Sequence, residues 1–97
     1  MVQYIICEGS LICTFSGKLD TAGCSEIGDE LIRKVQEAKM PVVFDMKNVD
    51  YVASAFLRLC LLIVREVDVD KFSIIKVSPN VKKVFKIAGL DRQMRIE

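Results

Sequence analysis

The sequence predicts an α/β domain: a mixed β-sheet with an N-terminal hairpin, followed by alternating helices and strands. Three observations predict it. Short apolar runs with period-two alternation are separated by segments whose apolar residues recur at helical spacing. Gly, Pro, Ser and Asp stand at the junctions, where turns and helix caps need them. At 97 residues, with 52% hydrophobic composition, residues 1–97 are expected to form a single domain with an ample core.

The elements follow in order. Tyr4-Ile5-Ile6-Cys7 is apolar and partly β-branched, and Glu8-Gly9-Ser10 supplies turn residues. Leu11, Cys13 and Phe15 then alternate with Ile12 and Thr14 before Ser16-Gly17 closes the strand. Asp20 or Thr21 caps a helix whose inward stripe is Cys24, Ile27, Leu31, Val35 and Ala38. Its acids concentrate early, where the positive end of the helix dipole favours them, and Pro41 stops it. Val42-Val43-Phe44 is a continuous apolar run, the mark of a strand covered on both faces. Asp45 to Asp50 reads as a polar loop. A second helix starts near Ser54, and Phe72–Val77 forms the next strand. Ser78-Pro79 opens a third helix with an N-cap and a first-position proline; its stripe is Val81, Val84, Phe85 and Ala88. Gly89-Leu90 matches a left-handed C-cap with its apolar contact, and Met94-Arg95-Ile96 adds a short edge strand. Strand–helix–strand alternation implies parallel pairing with right-handed crossovers, begun by the antiparallel hairpin.

Bulk properties remove whole classes of function. The formal charge is +1, from 14 basic and 13 acidic residues, which points to neither nucleic acid nor an anionic membrane. The first residues lack the basic and long apolar regions of a signal peptide. The longest wholly apolar run, Leu59 to Val64, falls far short of the roughly 20 residues that span a bilayer. A cytoplasmic protein is expected. The chain contains no His, so a Ser or Cys nucleophile has no usual general base and an enzyme is not expected. Cys7, Cys13, Cys24 and Cys60 are widely spaced without a Cys-x-x-Cys pair, and read as buried free thiols in apolar surroundings; neither a metal nor a cofactor is expected.

The second helix carries the most information. At about 100° per residue, Leu57, Cys60, Leu61 and Val64 form one face, and Phe56, Leu59 and Ile63 widen the apolar arc to roughly 200°. A surface helix needs about half of that. Leu62 even sits among Arg58, Arg65 and Glu66. Neighbouring helices cover the excess, or it binds a partner. Ser54 stands at the helix start, where its hydroxyl accepts a bond from a free backbone N–H as an N-cap. Alternatively it is a phosphoacceptor. A phosphate adds about −1.5 to −2 charges at pH 7, and beside an apolar binding face that charge opposes association.

Four segments resemble the STAS domain family, and within it the bacterial anti-sigma factor antagonists. Phe15-Ser16-Gly17-Lys18-Leu19-Asp20 is similar to the family's strand-end Gly-x-Leu/Ile-Asp. Val42-Val43-Phe44-Asp45-Met46 resembles its central strand ending in Asp-Leu. Tyr51-Val52-Ala53-Ser54-Ala55-Phe56-Leu57 occupies the place of its Asp-Ser-Ser/Thr-Gly-Leu phosphorylation motif. Residues 77–90, from Val77-Ser78-Pro79 to Gly89-Leu90, resemble its Ser-Pro-x-Val-x-x-x-Phe-x-x-x-Gly-Leu. The resemblance implies transcription regulation through a protein-binding switch. The unphosphorylated antagonist sequesters an anti-sigma factor, often a serine kinase, and frees the sigma factor. Phosphorylation of a serine matching Ser54 breaks the complex, and a phosphatase restores it.

On that basis Asp20, Ser54, Arg58 and Leu62 are expected at the partner face, with Ser54 the phosphorylation site. Three departures stand against the motif, one of them Ala55 in the place of its Ser/Thr. Ala53 replaces its Asp, and Phe56, replacing its Gly, adds bulk where a kinase must approach. They favour the alternative: a degenerate, unphosphorylated STAS module serving as a structural or regulatory subunit of a transporter-associated or signalling complex. The apolar second helix is also compatible with a homodimer.

Overall fold

The computed structural model describes residues 2–97; Met1 lies outside the described residues. Five strands and three helices alternate as expected: β1 (Val2–Cys7), β2 (Ser10–Leu19), α1 (Thr21–Ala38), β3 (Val42–Val52), α2 (Ser54–Val67), β4 (Phe72–Ile75), α3 (Pro79–Ile87) and β5 (Arg95–Ile96). Short 3-10 turns at Val69–Lys71 and Leu90–Arg92 complete the connections. The hairpin is closed by Glu8 and Gly9, both with positive φ (52° and 80°), the two-residue turn whose twist matches the flanking strands.

The sheet runs β1-β2-β3-β4-β5 in sequence order; β1–β2 is antiparallel and every later pair is parallel. That order has a consequence that the apolar run at Val42–Phe44 does not reveal. Right-handed crossovers that always step in the same direction place every helix on the same side of the sheet. The structure therefore buries one face only. Leu11, Cys13 and Phe15 of β2, Val42, Phe44 and Met46 of β3, and Phe72 and Ile74 of β4 point into the helices and are buried. Val43, expected to be covered, is half-buried on the open face, in register with Ile12 and Ser73.

Two strands extend further than expected. β2 does not close at Ser16-Gly17 but passes through irregularities there, with Gly17 at φ 84°, and continues to Leu19. β3 likewise runs through the supposed loop at 45–50, because Met46, Val49 and Val52 keep returning to the core. The polar residues between them disguise the strand. Asp45 stays local: its Oδ1 accepts from the Lys47 amide at 3.0 Å, and its Oδ2 lies 3.8 Å from Lys76 Nζ.

An aromatic cluster forms the centre of the core. Phe15 and Phe44 meet edge-on at 4.8 Å, as do Phe44 and Phe72. α1 and α2 pack together where Gly28 lets Leu59 approach; a Cβ at Gly28 would stand 3.4 Å from Leu59 Cδ2. α3 is held by Ser78, which accepts from the Val81 amide at 3.3 Å, with Pro79 at the first position and Gly89 left-handed at φ 77°. Its inward stripe is narrower than expected: Val81 and Phe85 are buried, whereas Val84 and Ala88 are exposed.

Candidate functional site

Parallel strands deliver their carboxyl ends to one rim, and the helix starts that follow β2 and β3 carry Asp20 and Ser54. β2 ends at Leu19 and β3 at Val52, which are paired in register. One residue on, the Ala53 amide donates to the Leu19 carbonyl at 2.9 Å. This bond ties the start of α1 to the start of α2, and so places Asp20 and Ser54 at adjoining helix starts. Both side chains are exposed.

Asp20 is the N-cap of α1: its Oδ1 accepts from the Gly23 amide at 2.8 Å. The first turn of α1 holds no acid, so Glu26 and Asp29 lie beyond the reach of the dipole argument and Asp20 alone supplies the negative group. Ser54 differs from expectation. The N-cap of α2 is Ala53, in extended conformation with no side-chain cap, and Ser54 is the first helical residue. Its hydroxyl is not spent on capping. Because Ala53 offers no acceptor, the first amides of α2 also lack the side-chain partner that an Asp, Ser or Thr at that position supplies.

Along α2, Ser54, Arg58 and Leu62 recur every four residues and are all exposed, Leu62 at 48%. They form one outward stripe, with half-buried Ala55, Leu57 and Leu61 along its margins. The covered face is Phe56, Leu59, Cys60, Ile63 and Val64, so its centre is rotated from the Leu57–Leu61 face expected. Most of the apolar excess is thus covered by the domain itself, and Leu62 is what remains outside. Tyr51, 49% exposed and paired with Lys18 in register, stands at the same rim; alternation along β3 rather than any motif marks it.

Phe56 reverses its expected role. It is wholly buried and packs against Phe15 at 5.3 Å, Phe44 at 5.9 Å and Phe85 at 6.5 Å. The ring therefore points away from the approach to Ser54 and adds no bulk there.

The thiols also divide. Cys13, Cys24 and Cys60 are buried, but Cys7, on the edge strand, is exposed. Burial pushes the Cys13 thiol up to about 12 and holds Cys60 well above its ordinary value, so neither is a nucleophile near neutral pH. Among the described residues no group of three or more His, Cys, Asp or Glu side chains converges as a metal site, and no helix is long and apolar enough to cross a membrane.

Comparison with known proteins adds to this geometry. Residues 10–96 match the family model described as Mlab, STAS domain. A Bordetella bronchiseptica protein named as an anti-sigma factor antagonist, BtrV, is 30% identical over 84 residues, covering 84% of this chain and 72% of that protein. Among solved structures, an anti-sigma factor antagonist from Mycobacterium paratuberculosis superposes with a TM-score of 0.88 at 16% identity, over 99% of this chain and 83% of its own. SpoIIAA, an anti-sigma factor antagonist, superposes in its unphosphorylated form with a TM-score of 0.79 at 20% identity, over 100% and 88%. In its phosphorylated form the same Bacillus protein gives 0.73 at 22% identity, over 100% and 91%. These likenesses between structures concern the fold.

Proposed function

The chain belongs to the STAS domain family and is of the anti-sigma-factor-antagonist kind; from that premise we propose that it binds an anti-sigma factor with serine-kinase activity through the rim carrying Asp20 and Ser54, and that phosphorylation of Ser54 releases it. The observation that carries this reading is the position of Ser54: exposed, first in α2, with a hydroxyl not engaged in capping. Ser54, Arg58 and Leu62 give a partner a hydroxyl, a cation and an apolar contact on one line. The neighbouring loop adds the Asp20 carboxylate, fixed by its capping bond.

The same geometry suits a phosphate. Free amides at the start of α2 stabilise negative charge, and Arg58, four residues on, lies on the same helix face. Within the free domain the modified residue is tolerated. Against a partner, a group carrying about −1.5 to −2 charges must lose water at the head of the stripe that runs on to Arg58 and Leu62, which opposes association. The buried ring of Phe56 supports this reading, since it leaves the approach to the hydroxyl open.

Ser54→Asp is expected to weaken partner binding by more than about 1.4 kcal/mol, a tenfold loss. Ser54→Ala is expected to bind and to escape regulation. Affinity unchanged in Ser54→Asp would place the start of α2 outside the interface. No phosphate on Ser54 after incubation with the cognate kinase and ATP would dispose of the switch. Ala53 is the observation that favours a second reading, an unmodified STAS subunit of a larger complex, because no acid stands beside the serine. Capture of the same partner by wild type and Ser54→Asp with equal affinity would favour it.

A further inference from the structure

The two edges of the sheet are built differently. β5 is two residues long, carries Arg95 and is followed by Glu97, so it offers little to an incoming strand. β1 is six residues long, Val2-Gln3-Tyr4-Ile5-Ile6-Cys7, without a charge, a proline or a break in its register with β2. Ile5 and Ile6 are 54% and 63% exposed. Alternate residues of such a strand turn their N–H and C=O groups away from the sheet, and edges are ordinarily blunted by charge, proline, bulges or shortness. β1 has none of these. It also lies outside the segment matched by the family model, which begins at Ser10.

Beside this edge runs a groove of about 300 Å³, lined by Tyr4, Ile6, Leu11, Lys34, Glu37 and Ala38. Lys34 reaches over the Tyr4 ring, its Nζ 5.4 Å from the centroid. The Tyr4 hydroxyl is screened from solvent and makes no hydrogen bond within the described residues. Burial first, and then the nearby Glu30 carboxylate, holds its phenol well above the ordinary value. Along the part of α1 next to the edge, Glu30 is thus followed by the cations Arg33 and Lys34 and then by Glu37.

We propose that β1 pairs antiparallel with β1 of a second copy of this chain, forming a twofold dimer with one continuous ten-stranded sheet. Antiparallel pairing about a twofold axis keeps the helices of both copies on the same side, with the axis at Tyr4 or Ile5. α1 packs on β2. The two α1 helices then lie three strand spacings apart, roughly 14 Å, wider than the 8–10 Å of direct helix packing. Val2, Tyr4 and Ile6 of both copies fill the trough between them. The charge pattern selects a copy over an arbitrary strand: reversed about an axis near Tyr4, the Glu30 of one α1 faces the Lys34 of the other. The stripe Ser54, Arg58 and Leu62 is on α2, away from this edge, so the dimer presents two such stripes.

Sedimentation velocity from micromolar to millimolar concentration tests the assembly. The wild type is expected to approach dimer mass. Ile6→Lys places a charge on an exposed side chain of the pairing strand and is expected to remain monomeric with an unchanged circular dichroism spectrum. Ile87→Lys, 77% exposed on α3, is expected to dimerise like the wild type. Cys7, the one exposed thiol among the described residues, takes a spin label. The two Cys7 backbones are expected roughly 14–20 Å apart, four to six residues along paired strands. A monomer at every concentration overturns the proposal. So does a dimer that survives Ile6→Lys, or one whose Cys7 labels lie farther apart than such pairing allows.

Discussion

Replacing Phe56 by Ala separates an interface residue from a core residue. The ring has no exposed surface, and three other phenylalanines lie within 6.5 Å of its centroid. Truncating a buried Phe costs about 3–5 kcal/mol, through lost transfer energy plus the cavity left behind. Its neighbours come from β2, β3 and α3, three different elements, so no single movement closes the hole and the upper half of that range applies. Each kilocalorie lowers the melting temperature of a domain this size by roughly 4–8 °C. The variant is therefore expected to melt about 16–40 °C below the wild type. Urea titration followed by circular dichroism measures the loss directly, and partner affinity of the remaining folded fraction is expected to change little. A loss below about 1 kcal/mol would refute the reasoning, because it would mean that the ring is not part of the core and stands at the rim after all.

Three further outcomes follow from packing and burial. Gly28→Ala is expected to be tolerated or to gain up to about 1 kcal/mol, since a helical Gly costs that much and the new Cβ would only touch Leu59; Gly28→Leu is expected to lose about 1–3 kcal/mol by forcing α1 from α2, and chemical denaturation distinguishes the two. At pH 8, a thiol reagent is expected to modify Cys7 quickly and Cys13, Cys24 and Cys60 only on unfolding, read by mass spectrometry. The Cys13 thiol sits at about 12 when folded against an ordinary 9. The folded chain holds a proton that the unfolded chain releases above pH 9, so stability is full below 9. It falls as pH rises toward 12, by up to about 1.4 kcal/mol per unit per such thiol.

Most of the fold was legible in the sequence because its punctuation is local. Ser78-Pro79 and Gly89 do in the structure what their chemistry predicts, and the order of strands and helices needed nothing more than periodicity. What failed was non-local. Whether Val43 meets a helix depends on strand order, which three residues of apolar sequence do not contain. The polar residues of 45–50 hide a strand because only Met46 and Val49 among them face inward. At the site, Asp20, Ser54, Arg58 and Leu62 all reach the surface, but helical periodicity placed the cap one residue late and turned α2 toward Leu57 and Leu61. A boundary error of a single residue changes what the Ser54 hydroxyl does. As an N-cap it would hold the helix together; at the first helical position it has no structural duty.

That difference decides how a charge at Ser54 can act. A capping serine would transmit phosphorylation through the helix it nucleates, and loss of the cap would cost about 0.5–2 kcal/mol of stability. Here the cap is Ala53, and the loop is held instead by the backbone bond from the Ala53 amide to the Leu19 carbonyl. Neither group changes when the hydroxyl is modified. A phosphate on Ser54, as proposed, would therefore alter the surface while the fold beneath it stays fixed, because the residues behind it, Phe56 and Cys60, are packed solid. A switch of this kind works by charge at the contact, without a second conformation. Its signature is a large change in partner affinity with the melting temperature of the free domain unchanged or raised by the amides at the start of α2. A loss of several degrees on phosphorylation would instead place the effect inside the fold.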